Sequence, residues 1–390
     1  MERAVIVSAV RSAVGNYGGQ WSSILPHKLA AAVIREAIER SGVDPGDIED
    51  VAMGNLYAQH GNIARVAALE AGIPCTAGAV TIDRQCGSSL HAVYDAAMNI
   101  MLGNGDVYVA CGLEHMTRQP WQMGKTTAAF QQNGPSCIQT MLTTDESGMD
   151  RMGMTAERVA ADYGLTRQEL DEYALLSHRK ASDAIARGAF KEQIVPITLK
   201  GKKGVEYIVD TDEAVRPEIT IEKLGKLPPA FKPLGLITAG NSCPWSDGAS
   251  ALVMMSESKA KSLGIESMGT ICSYAVSGLD PHVMGLGPIH AVPKALKRHG
   301  LNAKDIDVVE LNEAFAAQVI PCIKELDLRP SQVNPNGGGI ALGHPLGATG
   351  TLLTAKILYD MRERNLRYGL VTMCIGGGQG AALVLERSNG

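Results

Sequence analysis

Short β-branched runs alternate with alanine-rich stretches along this chain. Ala4 to Val10 is an almost unbroken aliphatic run and predicts a strand. Leu29 to Ile38 is alanine-rich and predicts a helix. Val107 to Cys111 predicts a second, buried strand. Strands and helices taken in turn are the pattern of an α/β fold.

The pattern also repeats. Val43 to Val51 closes a helix and opens a strand, and Leu301 to Val309 does the same late in the chain. Each is followed by a polar strand end, Gly54-Asn55 in one and Asn312-Glu313 in the other. A glycine-flanked turn comes next in each half, one carrying Cys86 and the other His344. Each half then closes on a strand followed by glycine, at Cys111-Gly112 and at Cys374-Ile375-Gly376. Two copies of one βαβ-rich unit are expected, packed back to back, with the chemistry where strand ends and helix N-termini meet. Residues 117–243 break the pattern and predict an inserted lid or binding segment. Within it, 150–186 predicts two helices, the second starting near Thr166 with Glu169 at capping-box spacing.

Composition narrows the field. The chain has 390 residues and a formal net charge of −5, with both signs interspersed, so nucleic acid and anionic membranes are not expected partners. The N-terminal residues enter the first strand directly, without a signal-peptide pattern, and no apolar run is long enough for a membrane helix. The eight cysteines are scattered, with no Cys-x-x-Cys pair. A disulfide framework and a structural zinc site are therefore not expected, and a reducing, cytoplasmic location is. Cys111 and Cys272 are expected to be small core residues.

Two cysteines stand apart. Cys86, in Arg84-Gln85-Cys86-Gly87-Ser88-Ser89, follows a strand-like run and precedes a helix, where the helix dipole favours a thiolate. Cys374 ends the run Leu370-Val371-Thr372-Met373 and is followed by Gly376-Gly377-Gly378, whose N–H groups suit a developing oxyanion. That glycine run lacks Gly-Lys-Ser/Thr and leads into Ala381 to Leu385, so a phosphate cradle is discounted. His344 lies in Gly337-Gly338-Gly339-Ile340-Ala341-Leu342-Gly343-His344-Pro345, ahead of a helix expected near Thr349. The dense glycines suggest that backbone must approach something closely. Asn312 and Glu313 end a strand, where an Asx-type turn is the ordinary reading.

Together these motifs resemble the thiolase family of acyl-CoA acetyltransferases over essentially the whole chain. The resemblance extends to Met154-Thr155-Ala156-Glu157, Thr238-Ala239-Gly240-Asn241, Ser246-Asp247-Gly248-Ala249 and Val283 to Pro288. It implies a five-layered αβαβα fold of two pseudo-duplicated halves: 1–116 with about 244–265, and 266–390, around the insertion 117–243. It implies an acyl thioester on Cys86, with Cys374 as acid and base. His344 would activate Cys86 and, with a water held by Asn312, stabilise an enolate oxygen. The N–H groups of Cys86 and Gly376 would form a second oxyanion hole. Coenzyme A would be a co-substrate contacted around Arg151, Met152, Arg216, Ala239, Cys243 and Phe315, with no permanent cofactor and no metal. A homodimer or a dimer of dimers is implied, and some relatives work with a small zinc-containing partner subunit.

The chain departs from the family pattern near the pantetheine arm. Arg151 stands where a histidine is common, and Cys243, followed by Trp245, replaces a serine that commonly touches CoA. Residues 116–148 also match poorly. Arg118, Lys125 and Arg151 are therefore candidates for pairing with a carboxylate on a branched, aromatic or dicarboxylic 3-oxoacyl-CoA such as benzoylsuccinyl-CoA. Acyl-carrier-dependent condensing enzymes share the fold but carry histidine or asparagine where this chain has Cys374. A non-catalytic lipid-binding or scaffold relative would be expected to lack the nucleophile or the histidine.

Overall fold

The computed structural model describes residues 2–57, 61–125, 134–138, 141–144, 151–201 and 204–388. The first half runs β1 (Ala4–Arg11), a short β2 (Gly15–Asn16), α1 (Pro26–Ser41), β3 (Asp50–Gly54), α2 (Ile63–Ala71), β4 (Val80–Ile82), α3 (Ser88–Leu102) and β5 (Val107–His115). The intervening segment holds α4 (Met152–Asp162), α5 (Arg167–Ala186), a hairpin of β6 (Ile197–Lys200) and β7 (Glu206–Val209), and α6 (Ile221–Gly225). β8 (Ser246–Ser256) and α7 (Glu257–Leu263) follow. The last part is β9 (Gly269–Gly278), α8 (Gly287–Arg298), β10 (Val308–Leu311), α9 (Ala316–Glu325), α10 (Gly339–Leu342), α11 (Thr349–Glu363), β11 (Tyr368–Ile375) and β12 (Gln379–Arg387).

The strands lie in the order β4-β3-β5-β8-β1 and then β9-β12-β11-β10, with β2 off this path on β8. Only two residue pairs, Val5 with Thr270 and Ile6 with Gly269, join the two sets. The sets copy each other: β3 runs parallel to β5 as β10 does to β11, and β5 pairs antiparallel with β8 as β11 does with β12. Val333 makes a single parallel bridge to Val309 where the first half has β4.

Period-two alternation along the strands builds the layers. Val107, Val109, Cys111 and Leu113 of β5 pack with α1 and α2, whereas Tyr108 and Ala110 face α3. Val371, Met373 and Ile375 of β11 face the central helices, and Leu370 faces α8 and α9. Helices α3 and α11 thus share one core between the two sheets, which gives five layers, αβαβα. They touch closely enough that a side chain on Gly350 would collide with the backbone of Leu90.

β5 continues to His115, four residues past the expected end at Cys111. Gly112 does not break it. A Cβ there would sit 2.6 Å from Ala348 Cα, so the glycine lets the strand pass under the turn before α11. The helices expected over 150–186 form as α4 and α5, with the Thr166–Glu169 capping box closed on both sides; position 150 lies outside the described residues, as do parts of 116–148. Among the described residues no helix is long and apolar enough to cross a membrane.

Candidate active site

Cys86 sits in the turn between β4 and α3. Gln85 takes a positive φ of 47°, rare for a residue with a side chain. The turn is pinned by Ser88, whose Oγ accepts from the Arg84 N–H at 2.9 Å and donates to the Gln85 carbonyl at 2.6 Å. Cys86 is half-buried, while Asn312, His344 and Cys374 are buried. Cys374 comes one residue before the end of β11, and the following turn carries Gly377 and Gly378 at positive φ. That turn brings the Gly376 N–H to the Cys86 sulfur, and Cys374 and Cys243 lie within electrostatic reach of Cys86.

His344 is fixed from both ring nitrogens. The Thr349 hydroxyl donates to the Pro345 carbonyl at 2.9 Å, so towards His344 Nδ1, 2.7 Å away, it can only accept. Nδ1 therefore carries the proton, and Nε2 presents its lone pair beside Asn312 Nδ2 at 3.3 Å. The Asn312 carbonyl oxygen is buried and has no partner among the described residues. Gly339 leaves room beside it, since a Cβ there would lie 3.1 Å away.

Burial dominates the protonation states. It pushes the Cys86 thiol up to about 11, although the N–H groups of Gly376 and Cys86 pull the other way. Cys374 is raised well above the usual thiol range, by burial first and then by Cys86. His344 is pushed down to about 4 by burial. The thiolate expected at the helix N-terminus is thus not the resting state. Cys86 rests as a thiol and His344 as a neutral imidazole, the form that can accept a proton.

Glu313 and the glycine run have structural work. The Glu313 carboxylate accepts from Tyr173 Oη at 2.9 Å, Ser177 Oγ at 2.6 Å, Asn334 Nδ2 at 2.8 Å and the Ile340 N–H at 3.2 Å. It leaves no space for a side chain on Gly338. Gly337 has a positive φ of 76° and packs on Ala181 of α5. The close approach that the sequence announced is to α5 and Glu313.

The residues expected to contact coenzyme A differ in their surroundings. Cys243 donates its N–H to Ala314 O at 3.0 Å, and Phe315 stands edge-on to Phe231 at 6.2 Å. Met152 Sδ and Leu142 reach within 3.7 Å of where a Gly376 Cβ would lie, so both overhang the turn after β11. Arg151 and Ala239 are exposed, Arg151 at the start of α4. Arg216 is also exposed and lines a surface cleft of about 280 Å³ with Ile219, Lys223, Leu224 and Leu227. Trp245 packs edge-on against Tyr17 at 5.5 Å, and the Arg118 guanidinium donates to Ser22 O at 2.9 Å; Lys125 is exposed.

Sequence reasoning missed Thr349, Gln85 and Leu142. Thr349 had a signal, a hydroxyl at a helix start five residues after the histidine; Leu142 had none. One group of metal-ligating side chains lies elsewhere among the described residues: Cys272, His299 and Glu386, with ligand atoms within 4.8 Å. Glu386 there is paired with Arg367 at 2.9 Å and Arg3 at 3.7 Å.

Comparison with known proteins agrees along the whole chain. Residues 4–258 match the family model described as thiolase, N-terminal domain, and residues 265–387 match thiolase, C-terminal domain. The beta-ketothiolase BktB of Cupriavidus necator is 44% identical over 389 residues, which are 98% of each chain. An acetyl-CoA acetyltransferase of the same organism is 43% identical over 99% of this chain and 100% of its own. The solved acetyl-CoA acetyltransferase of Bacillus anthracis superimposes with a TM-score of 0.94 at 41% identity, covering 100% of this chain and 99% of that one. Human mitochondrial 3-ketoacyl-CoA thiolase in complex with CoA gives 0.93 at 35% identity, covering 99% and 98%.

Proposed function

The chain belongs to the thiolase family, and on that premise we propose that it is an acyltransferase that cleaves a 3-oxoacyl-CoA with coenzyme A, or runs the reverse Claisen condensation. The observation that carries this reading is the meeting of two thiols, Cys86 and Cys374, with the Gly376 N–H at one of them and the His344–Asn312 pair in the same duplicated sheet end.

In the cleavage direction His344 Nε2 takes the Cys86 proton, and the thiolate adds to the 3-carbonyl. The N–H groups of Cys86 and Gly376 receive the oxyanion. The C2–C3 bond then breaks. The shortened acyl group stays on Cys86, and acetyl-CoA leaves as an enolate whose thioester oxygen is held by His344 and Asn312. Cys374 gives its proton to C2 and completes acetyl-CoA. A second CoA passes its thiol proton to Cys374 and attacks the Cys86 thioester. The acyl group leaves as acyl-CoA, and the Cys86 thiolate recovers its proton from His344.

The two thiols being protonated at rest supports this order, because each proton transfer needs a neutral donor or acceptor at the right moment. On the CoA side, Met152 overhangs the Gly376 turn, Cys243 lies near Cys86 and Phe315 shares the core of Cys374, and these three would flank pantetheine, while Arg151, Ala239 and the Arg216 cleft would take the outer part of the co-substrate. The halves divide as 1–116 with 244–265, and 266–390, with 117–243 as the CoA-binding insertion. β4 has a neighbour on one side only and carries Val80 exposed beside the Cys86 turn, which favours a homodimer through that edge.

Intact-protein mass spectrometry with a panel of acyl-CoA thioesters tests the reading. Wild type gains an acyl mass that Cys86→Ala lacks, and thiolysis of acetoacetyl-CoA falls at least about ten-thousandfold in the variant. A panel that leaves wild type unmodified sinks the proposal.

A further inference from the structure

The two sheet halves place equivalent residues at equivalent points, and this identifies a partner for Cys374. Gly54 pairs with Gly112 as Leu311 pairs with Thr372. Two residues further on, Glu114 faces Gly248 across β8 as Cys374 faces Gly380 across β12. The residue after β3 is Asn55, and the residue after β10 is Asn312. The first half therefore holds its own version of the site, with a carboxyl where the second half has the thiol. Each of these groups looks across the molecule at the other half's helix-start turn: Cys374 at the Cys86 turn, Glu114 at the turn that follows His344.

Glu114 is fully buried and reaches both turns around it. It accepts from the Gly347 N–H at 3.1 Å, three residues after His344. It also accepts from Asn55 Nδ2 at 3.3 Å, from the Leu56 N–H at 3.3 Å and from the Tyr57 N–H at 3.4 Å. Gly347 admits no side chain, since a Cβ would lie 2.5 Å from Leu113 O and 2.8 Å from Asn55 Cα. The turn bearing His344 thus rests on the end of β5 through this carboxyl, and its far end is anchored by the Thr349 hydroxyl that orients the imidazole.

We propose that Glu114 is the positioning residue of the His344 turn, holding it in register by the Gly347 N–H, so that its ionised form supports catalysis and its protonated form loosens the turn. The inference rests on the thiolase reading above. Ionised, the carboxylate offers acceptors to all four donors. Protonated, one oxygen carries a hydrogen towards these donors, so one contact is lost or the Asn55 amide turns its unpartnered Oδ1 to accept it, and in either case the Gly347 N–H no longer has a charged acceptor. The group titrates where this matters, because burial pushes it up to about 7 while its N–H partners pull it down. The other titratable groups around it lie elsewhere. Tyr57 is raised by burial and by Glu114 itself, Cys86 stands at about 11, and His344 at about 4. His115, the next residue along, is lowered by burial and pairs with Asp247 on β8, and Asp83 acts through the Cys86 turn.

The test is the pH dependence of thiolysis with acetoacetyl-CoA. In wild type kcat falls with one proton as pH drops through about 7. Glu114→Gln lowers kcat tenfold to about a hundredfold at pH 8, the size expected for a small displacement of the imidazole. It leaves KM within about threefold and loses the acid limb. Glu310→Gln is the control, because Glu310 is also raised to about 7 but lies under the glycine run beside Lys356; that variant keeps the limb. A limb that survives in Glu114→Gln, or one that disappears in Glu310→Gln, overturns the assignment. If Glu114→Gln does not fold, the wild-type profile decides: a flat kcat from pH 6 to 8.5 overturns it. Failure of the thiolase reading looks different, since wild type would then form no acyl-Cys86 and turn over no acetoacetyl-CoA at any pH.

Discussion

The sheet end that holds Asn312 and Cys374 and the sheet end that holds Asn55 and Glu114 are built alike. Strand pairings, registers and facing glycines correspond, and each end meets the other half's helix-start turn. Their chemistry differs through single residues. A thiol at the end of β11 has burial and a neighbouring thiol around it, and we assign it to proton transfer. A carboxyl at the end of β5 has four N–H donors around it, and we assign it to holding a turn. The duplicated frame is shared, and on these two assignments the side chain at one register position separates an end that reacts from an end that supports.

The sharpest way to break this comparison is to write the supporting residue into the reacting end. Cys374→Glu should lower thiolysis by about a thousandfold, the scale of losing a matched acid and base, while Cys86 still accepts an acyl group in a mass-spectrometric assay. Activity within tenfold of wild type would show that a carboxyl serves there as well as a thiol.

A second difference lies beneath the His344 loop. Lys356 Nζ bonds Glu310 at 2.8 Å and Gly337 O at 2.8 Å, with both side chains 1% exposed. Lys356→Met should cost about 3–5 kcal/mol by leaving a buried carboxyl without its partner. Lys356→Met with Glu310→Leu should recover most of that loss. Chemical denaturation of the three proteins checks it, and equal stability of the single and double variants would remove the pair from the account.

Two smaller effects sharpen the picture of the reacting end. Thr349→Val removes the acceptor that fixes the His344 tautomer and should lower kcat by about tenfold with little change in KM; an unchanged kcat would mean that packing alone orients the ring. Alkylation of Cys86 by iodoacetamide in the free enzyme should keep rising with pH from 7 to 10, because the thiol lies near 11 and only the thiolate reacts. A plateau by pH 8 would mean that the helix N-terminus and the Gly376 N–H outweigh burial.

Much of this was legible in the chain. The repeat was readable because each half needs the same helix-to-strand turn, and the structure shows a short 3-10 turn in both copies, at Pro45–Asp47 and Ala303–Asp305. Cys86, His344 and Cys374 stood out because glycines at strand and helix ends are costly unless something requires them. The glycines at 337–339 signal a close backbone approach, and the structure supplies what is approached, α5 and Glu313, which the sequence could not name. The end of β5 was placed too early because Gly112 looks like a stop, and what keeps the strand going is the turn before α11, more than two hundred residues away.

The sequence alone determined the alternation of elements, the duplication, the family and the cluster of reactive residue types, because these depend on local periodicity and on motifs read in order. Tertiary structure alone decided the protonation states, the tautomer of His344 and the role open to Glu114. Burial and hydrogen-bond partners set those properties: the walls around Cys86 and the donors to Glu114 come from segments distant in sequence, and the contact of Thr349 with His344, though local, depends on how the turn before α11 folds. A thiol next to a helix start reads as an anion in one dimension, and the walls that close around it in three make it an acid.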